Sequence, residues 1–170
     1  AVAQICARLD GIPLAIELAA ARVKVLSVDE IAARLHDRFH LLTAGSRTAP
    51  PRHQTLRAAL DWSYDLLADE ERMLLRRLSV FAGGWTLPAA EAVCAGDGCE
   101  PSQILNVLTR LVDRSFVIVE NPEGRETWYR LLETVRLYAR TKLVAAGEEE
   151  TVRRRHRDWY LQFAEQAEHE

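Results

Sequence analysis

Apolar residues recur at helical spacing along most of this chain, and the pattern predicts a mainly α-helical protein. It is clearest over residues 53–85, which are typical of two amphipathic helices in series. Trp62 belongs to the predicted apolar stripe of the first helix. Asp69 stands between the helices as the predicted N-cap of the second. Arg76 and Arg77 are predicted to face solvent from that second helix.

The segments on either side carry recognisable start and stop signals. Ser27 and Glu30 have the spacing of a capping box, which predicts a helix start. Residues 43–51 are small, polar and closed by two prolines, as in a linker. The segments 116–120 and 127–131 are rich in aromatic and β-branched residues and predict a hairpin around a turn at 121–124. Further helices are predicted from 86 to 94, from 101 to 114, from 132 to 146 and beyond 147.

Together these elements predict a mainly α fold with three parts. A small helical domain covers residues 1–50, and a winged helix-turn-helix domain with a two-stranded β-hairpin wing covers 51–146. Residues 147–170 form a C-terminal helix, interpreted as the first helix of a helical-repeat region.

Composition restricts the possible partners and location of the chain but does not identify its function. The formal charge is −3 and the sequence pI is about 6.0, whereas dedicated DNA-binding domains are usually basic. No apolar run reaches the roughly 18 residues that a membrane helix needs, so no membrane partner is expected. The three cysteines form no C-x-x-C pair, which favours a reducing, cytoplasmic location.

Five stretches resemble one family, the regulatory half of STAND ATPases related to NB-ARC proteins. The likeness is greatest to large bacterial transcriptional regulators of the LuxR and antibiotic-regulator (SARP) type. The stretches occur in family order and cover most of residues 11–139. They are GIPLAIELAAARV at 11–23, RHQTLRAALDWSYDLL at 52–67, LSVFAGGW at 78–85, LVDRSFV at 111–117 and YRLLETVRLYA at 129–139.

The resemblance implies a switch. In that family a nucleotide-binding core precedes the helical domain, and the motif matched by Gly11 and Pro13 contacts the adenine of ADP or ATP. The chain would then relay nucleotide state by packing against that core and against helical repeats. A histidine that senses phosphate in some relatives corresponds to Leu132 here. The side chain of a leucine cannot donate a hydrogen bond.

The residues themselves argue against catalysis by this chain. No G-x-x-x-x-G-K-[ST] loop occurs, and no apolar strand ends in paired acids, so neither Walker motif is present. The chain is therefore not expected to be an enzyme or to bind ADP or ATP tightly, although its resemblance implies that a parent protein is a slow ATPase switch.

DNA binding is the alternative hypothesis. A winged helix that reads DNA would place its base contacts on the helix at 103–114. Asp113 and the glutamates of the wing argue against such contact, because phosphate contacts supply much of the affinity for DNA. The candidate reading residues are Gln103, Asn106, Arg110 and Arg114.

Two further patterns bear on function. The aromatic face from Trp159 to Phe163 suggests a protein-interaction module with no nucleotide role. His36 and His40 have the i, i+4 spacing of a metal pair, but no third ligand stands out nearby, so no metal site is predicted.

Overall fold

The computed structural model describes residues 2–35, 56–121 and 126–167 and divides the chain into two compact units, 1–67 and 68–170. The division follows Leu67, whereas the proline-rich segment suggested a boundary at residue 50. That segment, His36 and His40 lie outside the described residues.

The first unit is built from short helices around a small apolar core. Its core side chains are aliphatic, and Leu9 and Ala15 are fully buried within it. Leu56, at the start of the last helix, also belongs to this core. The helices are α1 (Val2–Arg8), α2 (Pro13–Ala20), a 3-10 turn (Ala21–Lys24), α3 (Val28–Arg34) and α4 (Leu56–Asp65).

The capping box at the start of α3 is confirmed. The backbone N–H of Ser27 donates to Oε2 of Glu30 at 2.8 Å, and the N–H of Glu30 donates to Oγ of Ser27 at 3.3 Å. Two otherwise unpaired donors of the first turn are satisfied in this way. The prediction for α4 is wrong in one respect, because Trp62 is 52% exposed rather than part of a buried stripe.

The second unit confirms the winged-helix prediction. Three helices are followed by an antiparallel hairpin and two more helices, and α5 packs on α6, α7 and α8. The elements are α5 (Asp69–Leu78), α6 (Leu87–Cys94), α7 (Pro101–Asp113), β1 (Val117–Glu120), β2 (Trp128–Leu131), α8 (Glu133–Ala145) and α9 (Glu149–Ala167).

The start of α5 differs from the prediction. Asp69 is the first helical residue, and the N-cap is Ala68, whose extended backbone precedes the helix. Glu71 supplies the cap from within the helix, because its Oε2 accepts a hydrogen bond from the Ala68 N–H at 2.9 Å. A carboxylate in the first turn also interacts favourably with the helix dipole.

The hairpin is extended by a bridge that the sequence pattern did not predict. Val117 pairs with Leu131 and Glu120 with Trp128 in the antiparallel register. Trp85 then exchanges both backbone hydrogen bonds with Tyr129, at 2.8 and 2.9 Å. The chain before α6 therefore adds one bridging residue beside the two-stranded wing.

A glycine permits this bridge to form. A Cβ on Gly84 would overlap the Trp128 ring and the carbonyl of Tyr129, so no larger residue fits while this pairing is kept. Trp85 beside it is fully buried.

Two arginines of α5 face inward, which corrects the prediction that they meet solvent. The Arg77 side chain is 1% exposed, and its Nη1 donates to the carbonyls of Cys94 and Gly96 at 2.8 and 2.7 Å. Nη2 of Arg77 donates to the carboxylate of Glu148 at 2.9 Å. Nε of Arg76 donates to the same carboxylate at 2.6 Å. This Arg77 cluster ties α5 to the loop before α7 and to the start of α9.

Candidate functional site

The second helix of the helix-turn-helix pair, α7, carries a polar face. Gln103, Asn106, Arg110 and Arg114 follow one another at spacings of three, four and four, which places them along one side of a helix. Gln103 and Asn106 are exposed, and the Arg110 and Arg114 side chains are 43% and 46% exposed. The structure thus brings all four predicted residues onto one accessible surface, called here the α7 face.

Apolar residues on the opposite side hold α7 in place. Ile104, Leu108 and Leu111 are buried against the rest of the unit, so the polar face cannot rotate inward. Leu105 is apolar but lies outside this buried side, because it is 46% exposed.

The arginines of the α7 face are restrained by carboxylates of α5. Arg110 Nε donates to Oε1 of Glu71 at 3.1 Å, and its Nη2 donates to Oε2 of Glu70 at 3.0 Å. Nε of Arg114 lies 3.4 Å from Oε2 of Glu71. The sequence pattern missed these pairs because their partners lie about forty residues apart.

The charges of the hairpin are also partly compensated. Arg130 on β2 donates to Oε1 of Glu120 on β1 at 2.6 Å, across the strand pair. Asp113 at the end of α7 is exposed. The surface around α7 therefore carries mixed charge, which favours contacts through polar side chains over phosphate contacts.

The adenine-contact residues predicted by resemblance lie in the first unit. Gly11 and Pro13 are both exposed and flank the start of α2. Asp10 and Gly11 have positive φ values of 57° and 68°, which end α1 in a tight turn. Buried Ala15 and Leu18 anchor α2 behind this turn.

The aromatic face of α9 borders a groove of about 310 Å³ in the second unit. His156 packs edge-on against Phe81, with ring centroids 4.9 Å apart, and lies 4.8 Å from Tyr160. Burial lowers the pKa of His156. Beyond the groove, Phe163 is 61% exposed.

The start of α9 has a structural role that complicates the interaction hypothesis. Arg155 donates to the carbonyl of Ala95 at 2.6 Å and to Oδ2 of Asp97 at 3.1 Å. Arg155 therefore holds the loop between α6 and α7 directly, whereas Glu148 binds Arg77, which donates to the same loop. Truncation after Gly147 would therefore remove structural contacts as well as the aromatic face.

The cysteines of that loop are poorly suited to reactive roles. Cys94 and Cys99 are buried free thiols, and burial raises the pKa of each. A thiol with a raised pKa is a weak nucleophile and metal ligand at neutral pH. Over the described residues, no cluster of three metal-ligating side chains occurs, and no helix is long and apolar enough to cross a bilayer.

Comparison with known proteins agrees with this architecture. Residues 67–144 match a family model described as "Winged helix-turn-helix domain". The chain is 54% identical over 164 residues to "Putative HTH-type transcriptional regulator Rv0890c" of Mycobacterium tuberculosis, and the match covers 96% of this chain and 18% of that protein. It is 52% identical over 157 residues to "Uncharacterized protein Rv0894" of the same organism, with 92% and 40% covered.

The matched region begins one residue before the second unit and includes α5, α6, α7 and the hairpin. The chain spans less than a fifth of the length of its relatives that are named as regulators. The second unit of this chain has the fold of a winged helix-turn-helix domain.

Proposed function

We propose that this chain is part of a transcriptional regulator and that its α7 face contacts duplex DNA. The observation that carries the proposal is the accessible row of amide and guanidinium side chains on the second helix of the helix-turn-helix pair. Asn pairs well with adenine edges and Arg with guanine edges. The winged-helix match and the names of the relatives support the same function.

This proposal replaces the expectation that DNA contact is disfavoured. That expectation relied on the net charge and on the carboxylates of Asp113 and the wing. Such charges affect the non-specific affinity more than the capacity to read bases. With Glu70 and Glu71 beside the arginines, we expect modest affinity and a shallow dependence on salt. Sequence preference would then depend largely on Gln103 and Asn106.

The test is the affinity of the whole chain for DNA after one added negative charge. Asn106→Asp keeps the side-chain shape but places a carboxylate on the exposed α7 face. We expect it to weaken binding to a mixed-sequence duplex about tenfold, as for the loss of a base contact. Fluorescence anisotropy at about 50 and 200 mM salt measures the affinity and its salt dependence.

Gln162→Glu is the matched control, because it adds the same charge isosterically to an exposed position on α9. It should change affinity far less than Asn106→Asp. Equal losses for the two variants, or no salt-dependent binding by the unmodified chain, would refute DNA reading by α7.

We also propose a second candidate, that the chain relays nucleotide state through Gly11 and Pro13. The exposed turn before α2, with a rigid proline backed by a buried core, supports a flat contact for an adenine ring. The resemblance to STAND regulators supplies the ligand, ADP or ATP, and the partners, a nucleotide-binding core and helical repeats.

This second candidate is tested in a protein that joins the chain to a preceding nucleotide-binding core. Pro13→Ala should weaken ADP binding there, because it removes the ring that would contact adenine. Leu14→Ala, at the neighbouring half-buried position, is the control. Unchanged ADP affinity in Pro13→Ala would remove the adenine role.

A further inference from the structure

The first turn of α5 holds two carboxylates that differ sharply in exposure and share one arginine. Glu71 is 1% exposed, whereas Glu70 is 64% exposed, and both accept hydrogen bonds from Arg110. A buried carboxylate with several donors is fixed in place, while an exposed one moves freely in water. The two glutamates therefore have different effects on the α7 face.

Glu71 has the geometry of a positioning residue. Its Oε2 accepts from the Ala68 N–H and lies 3.4 Å from Arg114 Nε, while its Oε1 accepts from Arg110 Nε. Because Glu71 binds Arg110 through Nε, the terminal nitrogens of that arginine are left for other acceptors. An arginine oriented in this way loses less entropy when it binds an acceptor.

Glu70 occupies one of the two terminal nitrogens that Glu71 leaves available. Nη2 of Arg110 donates to Glu70 at 3.0 Å, which is the contact that a phosphate or base acceptor of DNA would need. An exposed ion pair of this kind is weak, so an incoming anion can displace it.

We propose that Glu70 is an intramolecular competitor that covers Arg110 until DNA displaces it, while Glu71 keeps that arginine aimed at the ligand. This inference rests on the proposed DNA contact of the α7 face. It makes Glu70 a residue that sets affinity, although Glu70 lies on another helix.

The experiment compares two isosteric removals of one negative charge in the whole chain. Glu70→Gln uncovers Arg110, while Asp69→Asn removes a charge from the neighbouring position, where the side chain is 98% exposed and pairs with Arg72 instead. Both variants remove one negative charge from the same helical turn, so both reduce the general electrostatic repulsion of DNA to a similar extent. We expect Glu70→Gln to bind a mixed-sequence duplex about two- to fivefold more tightly than Asp69→Asn, the range for release of an exposed ion pair.

An Arg110→Gln background completes the test. If Glu70 acts through Arg110, the extra gain from Glu70→Gln disappears there. Equal gains for Glu70→Gln and Asp69→Asn, or a gain that persists without Arg110, would overturn the competitor role. Asn106→Asp would still weaken binding in that case, so the proposed function would stand. Absence of DNA binding by every variant would overturn both proposals.

Circular dichroism shows whether each variant keeps its fold. Both charge removals lie at exposed side chains, so the helix content should stay unchanged. Glu71→Gln is unsuitable as the main variant because it would disturb a buried hydrogen-bonded group.

Discussion

The two compact units are stabilised by different kinds of contact. In the first unit, the core is aliphatic, and the described ion pairs Arg34–Glu30 and Arg57–Asp61 each span one helical turn at an exposed surface. In the second unit, Arg77 and Glu71 are buried, and their partners come from distant parts of the chain.

This difference shows what each unit requires from its sequence. An aliphatic core needs volume and pattern, and it tolerates exchange among apolar residues of similar size. A buried charge needs particular partners, because an uncompensated charge in the interior is costly. Orientation of the loop before α7 therefore depends on a few polar contacts in the second unit.

The largest expected effect is the loss of the Arg77 side-chain charge. Arg77→Met would remove the side-chain donor to the buried carbonyl of Cys94 and to the half-buried carbonyl of Gly96, and it would remove one partner of Glu148. We expect the free energy of unfolding to fall by about 3–5 kcal/mol, as when one partner of a buried pair is removed. Urea denaturation followed by circular dichroism measures it.

Arg153→Met is the control for that change, because Arg153 is 55% exposed and pairs with Glu149 one turn away. It should cost no more than about 1 kcal/mol. If the two variants lost similar free energy of unfolding, the Arg77 cluster would not be the contact that sets the second unit apart from the first.

A cavity in the first unit should have the next largest effect. Leu18→Ala would empty a buried position in the aliphatic core and lower the free energy of unfolding of this unit by about 2–4 kcal/mol. Leu14→Ala, at a half-buried position on the same helix, should cost less. Equal losses in urea denaturation would contradict a core centred on the buried side of α2.

A smaller effect is expected at the turn between α1 and α2. Gly11 has φ +68°, and Gly11→Ala should cost about 1 kcal/mol through backbone strain, although a Cβ would meet no neighbour within 4 Å. Gly83→Ala has equal space, and its φ lies outside the positive region. Thermal unfolding of both variants compares them, and an unchanged Gly11→Ala would remove the strain argument.

The smallest effects concern pH. Burial lowers the pKa of His156, so the folded chain binds this proton less readily than the unfolded chain. Stability is therefore full above the unfolded-state pKa of about 6.5 and falls as pH decreases through it. We expect His156→Gln to flatten this decline, measured as the free energy of unfolding against pH.

Glu148 should act at lower pH and provides a contrast. Burial alone would raise the pKa of Glu148, but hydrogen bonds from Arg76 and Arg77 outweigh it, and the pKa is lowered. Its contribution to stability is present above the unfolded-state pKa and is lost as pH falls through the folded-state value. A decline near pH 6 that Glu148→Gln abolished would contradict both assignments.

Much of the fold followed from local signals, and the candidate site followed only in part. The capping box at Ser27, the hairpin and the glycine end of α8 at Gly147 depend on neighbouring residues, which a sequence pattern reports directly. The burial of Arg77 depends on Glu148 and on carbonyls of a loop, and no periodicity contains that information.

The positions on α7 show the same limit. Helical spacing was enough to place Gln103 and Asn106 on one exposed face. It could not show that Arg110 is held by carboxylates of α5, because that pairing depends on how two helices cross. Leu105 is exposed, although an apolar side chain in a helical pattern is normally interpreted as core.

The most direct test of DNA contact by α7 is a nuclear magnetic resonance titration of the labelled chain with a short duplex. The account predicts that the largest shifts fall on the amides of residues 101–114 and on the Nε–H signal of Arg110, with smaller shifts in the hairpin. Shifts confined to α9 or to the turn at Gly11, or no shifts at low salt, would contradict it.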